Sequence, residues 1–171
     1  MIAKIASYSL QGLNGIPIEI EVDVNNGLPA FDIVGLPDAA VKESKERVRS
    51  AVKNCGYEVP ARRITVNLAP ADKRKEGAVF DLPILVGLLQ ASGQLLADLS
   101  HTAFIGELSL SGDIRPVYGV LPIVIALKEA GVKRVFVPID NADEACVVQG
   151  IDVYPAEHVI RVVDHLLNVS A

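Results

Sequence analysis

The chain has 171 residues, 50% of them hydrophobic, and a net charge of −5. That length and apolar content fit one core, in a single compact domain or two tightly joined lobes, and the acidic balance argues against a surface coated in cations for nucleic acid while leaving room for a local basic patch. No apolar run approaches the roughly 18 residues of a membrane span and no charged leader precedes a long apolar stretch, so the expectation is a soluble, cytoplasmic protein.

The first elements read as strands. Ile16 to Val24, IPIEIEVDV, alternates apolar and acidic residues, the period of a strand with one buried face. Ile2 to Leu10 alternates less strictly and is placed to pair with it as a hairpin through the turn Gln11 to Gly15. After the turn signal NNGLP, Ala30 to Val34 is a third strand. In GLPDAAVKESKERVRSAVKNCG, Asp38 is suited to cap a helix, Val41, Val48, Ala51, Val52 and Cys55 form its apolar stripe, and Gly56 stops it. The opposite face, Lys42, Glu43, Lys45, Glu46 and Arg49, reads as solvated charge paired at helical spacing.

Arg62 to Leu68 is a further strand. It runs into the charged loop PADKRKEG and then into DLPILVGLLQASG, a helix apolar all round and therefore buried on most sides, with Asp81 expected to cap it and Pro83 tolerated in its first turn. Beyond it come a strand Ala103 to Leu110, a tight turn Ser111-Gly112-Asp113, a helix Val120 to Ala130 and a strand Arg134 to Val137. A helix Asn141 to Gln149, a strand Ile151 to Tyr154 and a last helix Ala156 to Asn168 complete the chain. Strands alternating with helices imply parallel pairing in the C-terminal half, against antiparallel opening strands. The fold class is therefore α/β (α+β), with a mixed sheet and packed helices.

The chemistry is defined first by absences. There is no GxxxxGK[ST] phosphate loop, no GxGxxG and no GxSxG nucleophile elbow. Cys55 and Cys146 fit no metal spacing and read as buried thiols in a reducing compartment. His158 and His165 share a helix face two turns apart, about 10 Å, too far for a common zinc.

Two stretches resemble Lon-type proteases. GELSLSGDIRPV, Gly106 to Val117, is similar to the segment preceding their catalytic lysine, with Gly106, Glu107, Leu110, Gly112 and Pro116 matching, and KEGAVFDL falls where they carry the catalytic serine. Such a dyad needs a hydroxyl and a lysine within hydrogen-bond reach. The serine position falls on Val79 and the lysine position on Leu121; a slip of one residue offers only Ala78 or Phe80, and Val120 or Pro122. Lys128 lies two turns further on, about 10 Å along the helix.

The finer pattern, GLPDAAVKESKERVRSA, NLAPADKRKEG and FDLPI, resembles the N-terminal domain of the magnesium-chelatase-like AAA+ ATPases, the ComM/YifB family. The resemblance spans essentially the whole chain. It implies a Lon protease domain-like (ribosomal-protein S-five domain 2-like) fold and a single domain, residues 1–171, excised from a longer ATPase. It also implies ATP and Mg²⁺ for that missing module, with none for this domain. The family resemblance further implies hexamer formation and a helicase acting in DNA branch migration during natural transformation, with single-stranded or branched DNA as partner. RadA recombination proteins carry a similar nonproteolytic domain, and the chelatase name itself implies neither porphyrin nor metal insertion.

With no nucleophile, the charged loop needs another use. Lys73, Arg74 and Lys75 run together, and Arg62 and Arg63 open the strand that feeds them, so these five are candidates for contact with DNA phosphates or with an adjacent subunit, against the alternative of a merely solvated loop. Glu107 reads as an interstrand ion-pair partner and Arg115 as a surface residue. The leading expectation is a noncatalytic accessory domain supporting ring assembly; the alternative is a free-standing module that binds a protein or small molecule in a cleft near Val79 and Leu121.

Overall fold

The computed structural model describes residues 1–12 and 14–170. Leu13, inside the expected hairpin turn, and Ala171 lie outside the described residues. Strands β1 (Ile2–Gln11) and β2 (Asn14–Asn25) pair antiparallel, with Ile5 opposite Ile20 and Ala3 opposite Val22. Their period of two places Ala3, Ile5, Ile18, Ile20, Val22 and Val24 in the core. Glu19, Glu21 and Asp23 are left on the other face, exposed or half-buried. Strand β3 (Ala30–Val34) follows and leads into two short helices.

The single helix expected after Asp38 is divided into α1 (Ala39–Lys42) and α2 (Ser44–Asn54). At the joint the Glu46 N–H donates to the Glu43 carbonyl three residues back, at 3.0 Å, the tighter spacing that interrupts an α-helix. Asp38 does cap, its Oδ1 accepting from the Val41 N–H at 2.8 Å. Strand β4 (Arg63–Ala69) then lies between β2, to which it is antiparallel, and β3, to which it is parallel.

Helix α3 (Asp81–Ala91) is buried at every residue from Asp81 to Leu89, as its uniformly apolar sequence demands. The strand expected at Ala103 to Leu110 is broken into β5 (Thr102–Phe104) and β6 (Glu107–Leu108), the latter forming a separate ribbon with β7 (Ile114–Arg115). Gly106 explains the break. Its N–H donates to Val79 and its carbonyl accepts from Leu82, both at 3.0 Å, so its backbone bonds the entry of α3 instead of a sheet neighbour. A side chain would not fit there, because a Cβ would lie 2.9 Å from Ile114 Cγ2.

Helix α4 (Val120–Glu129), strand β8 (Arg134–Pro138), a 3-10 turn Ile139–Asn141, helix α5 (Ala142–Ala145), strand β9 (Asp152–Ala156) and helix α6 (Val159–Ser170) complete the fold. The expected helix Asn141 to Gln149 is reduced to one turn, ended by the β-branched pair Val147 and Val148 and by Gly150 at φ 88°. The seven-stranded sheet runs β3-β4-β2-β1-β5-β8-β9, mixed in its first half and parallel from β1 through β9. A larger core joins one face to α2, α3 and α6, and a smaller one joins the other face to α4 and α5 around Tyr8, Val124 and Val135. No described helix is long and apolar enough to cross a membrane.

Asp81 does not cap α3. The helix has no side-chain cap. The carboxylate instead accepts from Ser44 Oγ at 2.5 Å, from Arg47 Nε at 2.6 Å and Nη2 at 3.1 Å, and from the Leu108 N–H at 3.0 Å. Arg47 also donates to the Ala40 carbonyl at 2.8 Å. Burial pushes the Asp81 carboxyl up, against the hydrogen bonds that pull it down. Burial would lower Arg47, but the hydrogen bond and charge of Asp81 outweigh it and hold the guanidinium protonated. Removing one member strands the other in the interior. Asp81→Ala is therefore expected to cost roughly 3–5 kcal/mol in denaturant unfolding, whereas Arg47→Met combined with Asp81→Leu should cost clearly less; equal losses in the two proteins would show that the pair is not acting as a unit.

Candidate functional site

A cleft of about 480 Å³ opens where the loop after β4 meets the β6–β7 ribbon and the start of α4. Its floor and walls include Leu10, Val79, Val117 and Ile123; its polar lining is Ser9, Asp38, Glu76, Glu107 and Tyr118. Tyr118 stands at the rim, 99% exposed. The lining carries three carboxylates and no lysine or histidine. Electrostatically it favours cationic or uncharged guests.

The two dyad positions part company here. Val79 is half-buried and lines the cleft, whereas Leu121 sits half-buried in the first turn of α4 outside the lining, where Ile123 takes the place expected for it. The helical period is the reason: residues two apart on a helix point about 200° away from each other. Glu107 stands opposite Arg115 in the ribbon register, but among the described residues the two form no ion pair within 4 Å. Glu107 is thus left facing the cleft.

The loop's charge run resolves into different environments. Lys73 and Arg74 are exposed, and Arg74 Nε lies 3.6 Å from Glu76. Lys75 is fully buried. Its Nζ donates to the Gly35 carbonyl at 2.7 Å and to the Pro70 carbonyl, while its backbone N–H donates to Leu36 and its carbonyl accepts from Asp38, at 3.0 and 2.9 Å. Asp38 Oδ2 reaches back to the Gly77 N–H at 3.1 Å. Lys75 is therefore a pin that fastens the loop to the β3–α1 turn, and it is withdrawn from the set of surface contacts.

Arg62 and Arg63 are exposed, but they lie at the other end of β4. The seven residues of that strand separate them from the loop by about 20 Å at 3.3 Å per residue. The five cations of the sequence reading consequently fall in three places rather than one cluster. Arg62 shares a second groove, of about 380 Å³, with Arg49 and Lys53 of α2 and with Phe31, Val59 and Pro60. Arg49 belongs to the face that the helical pattern presents as solvated, and Lys53 lies one turn further on.

The relation of this cleft and fold to known proteins follows from comparison of the chain with them. The family model described as "Subunit ChlI of Mg-chelatase" matches residues 20–141. The chain belongs to this family. It is 43% identical over 166 residues to the competence protein ComM of Haemophilus influenzae, covering 96% of this chain and 32% of that protein. It is 45% identical over 148 residues to YifB of Escherichia coli, covering 86% and 29%. A Lon protease of Mycolicibacterium smegmatis is 27% identical over 168 residues, 91% of this chain and 21% of its own. The chain spans about a third of the length of its ComM and YifB relatives.

Two further features of this magnesium-chelatase-like chain correct the sequence reading. Cys55 is half-buried and Cys146 exposed, so the second is not a core thiol. His158 lies just before α6 (Val159–Ser170) and not on the helix it was expected to share with His165. His158 Nδ1 accepts from the Ile160 N–H at 3.1 Å, which places the proton on Nε2, 3.0 Å from the Ser111 carbonyl. His165 packs between Tyr154 and Phe136, with centroids 4.5 and 5.5 Å away. Sequence reasoning missed the Arg47–Asp81 clamp and the Arg49–Lys53–Arg62 groove; the spacing of Arg47 from the stripe residue Val48 offered no signal for the first.

Burial lowers the pKa of Lys75, against a smaller upward pull from Asp72. The unfolded chain therefore holds this proton more tightly than the folded one in the interval between the lowered value and the ordinary lysine value of about 10.4. Stability contributed by Lys75 should rise with pH across that interval. The unfolding free energy of the parent minus that of Lys75→Met is expected to increase from pH 7 to pH 10, as read by urea titration, with a pH-independent difference as the contrary result.

Proposed function

We propose that this chain is a noncatalytic accessory domain of a magnesium-chelatase-like AAA+ ATPase, working in ring assembly and in contact with DNA. The observation that carries the proposal is the cleft itself: the position that would hold a serine is Val79, and neither lysine nor histidine lines the space around it. Valine has no hydroxyl to activate, and the amine that a Lon-type dyad needs as its base is not in the lining. The family membership and the coverage of about a third of ComM and YifB support a role beside a larger machine. ATP and Mg²⁺ belong, in this reading, to residues outside this chain, which has no phosphate loop; among the described residues there is no group of three or more His, Cys, Asp or Glu placed to hold a metal ion. Assembly as a hexamer, a cytoplasmic location and action on branched DNA during transformation are part of the same proposal.

A second reading is favoured by one feature, the size and apolar floor of the cleft. It makes the chain a module that binds a protein segment or small molecule between Val79 and Ile123. The two readings separate on what is bound and where.

Lys73 and Arg74 are the exposed loop cations available to phosphates. The chain should bind a single-stranded oligonucleotide weakly, losing about tenfold in affinity between 50 and 200 mM salt for two phosphate contacts. Replacing both residues with alanine should abolish most of that salt dependence in a fluorescence-polarisation titration. Binding that is unchanged by the substitutions removes the loop from the proposal, and hydrolysis of an unfolded protein substrate by the purified chain would overturn its noncatalytic character.

A further inference from the structure

The outer edge of the sheet at β3 carries an arrangement that neither the fold nor the cleft requires. Strand β3 pairs with β4 alone and is the terminal strand of the sheet. The Ala30 N–H points inward, donating to the Arg62 carbonyl at 3.3 Å, and strand backbone alternates, so the N–H and C=O groups of Phe31 and Ile33 point away from β4. Edge strands are commonly blunted by charged side chains, proline or bulges; β3 carries one exposed charge, Asp32, which strand alternation places on the face opposite Phe31. Here Leu28, Val34 and Leu36, on and beside the strand, are 89%, 46% and 53% exposed.

At the beginning of the same strand lies the groove formed with the C-terminal half of α2 and the start of β4. It is lined by Pro29, Phe31, Arg49, Lys53, Pro60 and Arg62 among others, and no carboxylate lines it. The Arg49 guanidinium is held over the Phe31 ring at 5.7 Å, and among the described residues its one ion pair is with Glu46, 3.9 Å away on the exposed side of α2. Lys53 and Arg62 are exposed, and neither is in an ion pair among the described residues. In a chain of net charge −5, three cations gathered around one concave surface mark it for a negatively charged partner.

We propose that the β3 edge and its basic groove form a docking site for an extended, acidic polypeptide segment of a partner protein, which adds to the sheet as a strand next to β3. Backbone bonds to Phe31 and Ile33 supply the pairing, alternate apolar side chains cover Val34 and Leu36, and carboxylates reach Arg49, Lys53 and Arg62. An acidic peptide fits better than a phosphate chain, because the unpaired strand groups and exposed aliphatic residues complement a polypeptide backbone and offer nothing to a sugar-phosphate one. The groove shares no lining residue with the cleft, and the site does not depend on the reading of Val79.

The test uses the intact chain, isotopically labelled, titrated with an eight-residue peptide alternating glutamate and valine. Binding with the largest amide shifts at Phe31 and Ile33 is expected. The same peptide with lysine for glutamate, or N-methylated at alternate residues, should bind at least tenfold more weakly. Lys53→Glu with Arg62→Glu, both exposed positions that spare the Arg49–Phe31 contact, should weaken the parent peptide by about tenfold or more, the sum of two modest charge pairs turned from attraction to repulsion. No binding at millimolar peptide, shifts centred elsewhere, equal binding of the lysine peptide, or self-association of the free chain through the same amides would each overturn the proposal.

Discussion

The carboxylate of Asp81 is the point on which the arrangement of this molecule depends. It stands at the first residue of a helix buried from Asp81 to Leu89, and its partners come from α2 through Ser44 and Arg47 and from the ribbon through the Leu108 N–H. Hydrophobic burial alone would let α3 slide or rotate among equivalent apolar contacts, since its sequence is apolar in every direction. A charged group that must find four donors has one acceptable position. That requirement sets the depth of α3, the tilt of α2 against it and the place of the short β6–β7 ribbon, and through these the width of the cleft above Val79.

The loop between β4 and α3 follows the same logic in a smaller space. A buried lysine is tolerated only where its ammonium finds acceptors, and Lys75 finds the carbonyls of Gly35 and Pro70. The loop is therefore fixed at its centre and open at its charged tip, with Lys73 and Arg74 projecting ahead of the pin. Asp38 serves both sides of this junction, capping α1 with one oxygen and holding Gly77 with the other.

Much of this was legible in the sequence where a local rule governs. The alternation of IPIEIEVDV gave the buried face of β2, and an aspartate before a helical stripe gave the cap at Asp38. The family resemblance carried the mixed α/β architecture, a Lon-like fold at low identity and the membership later supported by comparison. What escaped the sequence is what depends on contacts between distant segments. Nothing local tells a buried lysine from two exposed cations beside it, and nothing in the charge pattern of α2 singles out Arg47 for the interior. The distance between Arg62 and Lys73 is hidden for a different reason: residues close in sequence are far apart when a strand stretches between them. That Ile123 rather than Leu121 lines the cleft was equally hidden, because a sequence counts residues while a helix rotates them.

The turn joining β6 to β7 has a consequence for mechanics. Its Gly112 carbonyl accepts the Val159 N–H at 2.9 Å, its Ile114 N–H donates to the Glu157 carbonyl at 2.9 Å, and its Ser111 carbonyl meets His158 Nε2 at 3.0 Å. Gly112, at φ 95° and with Cys55 Sγ 2.7 Å from where a Cβ would be, leaves no slack in that joint. The ribbon and the beginning of α6 are consequently fastened together at three points. A displacement of the start of the last helix is carried towards Glu107 at the wall of the cleft both by these bonds and by the larger core, which holds Leu108, Ile114 and Val159 together.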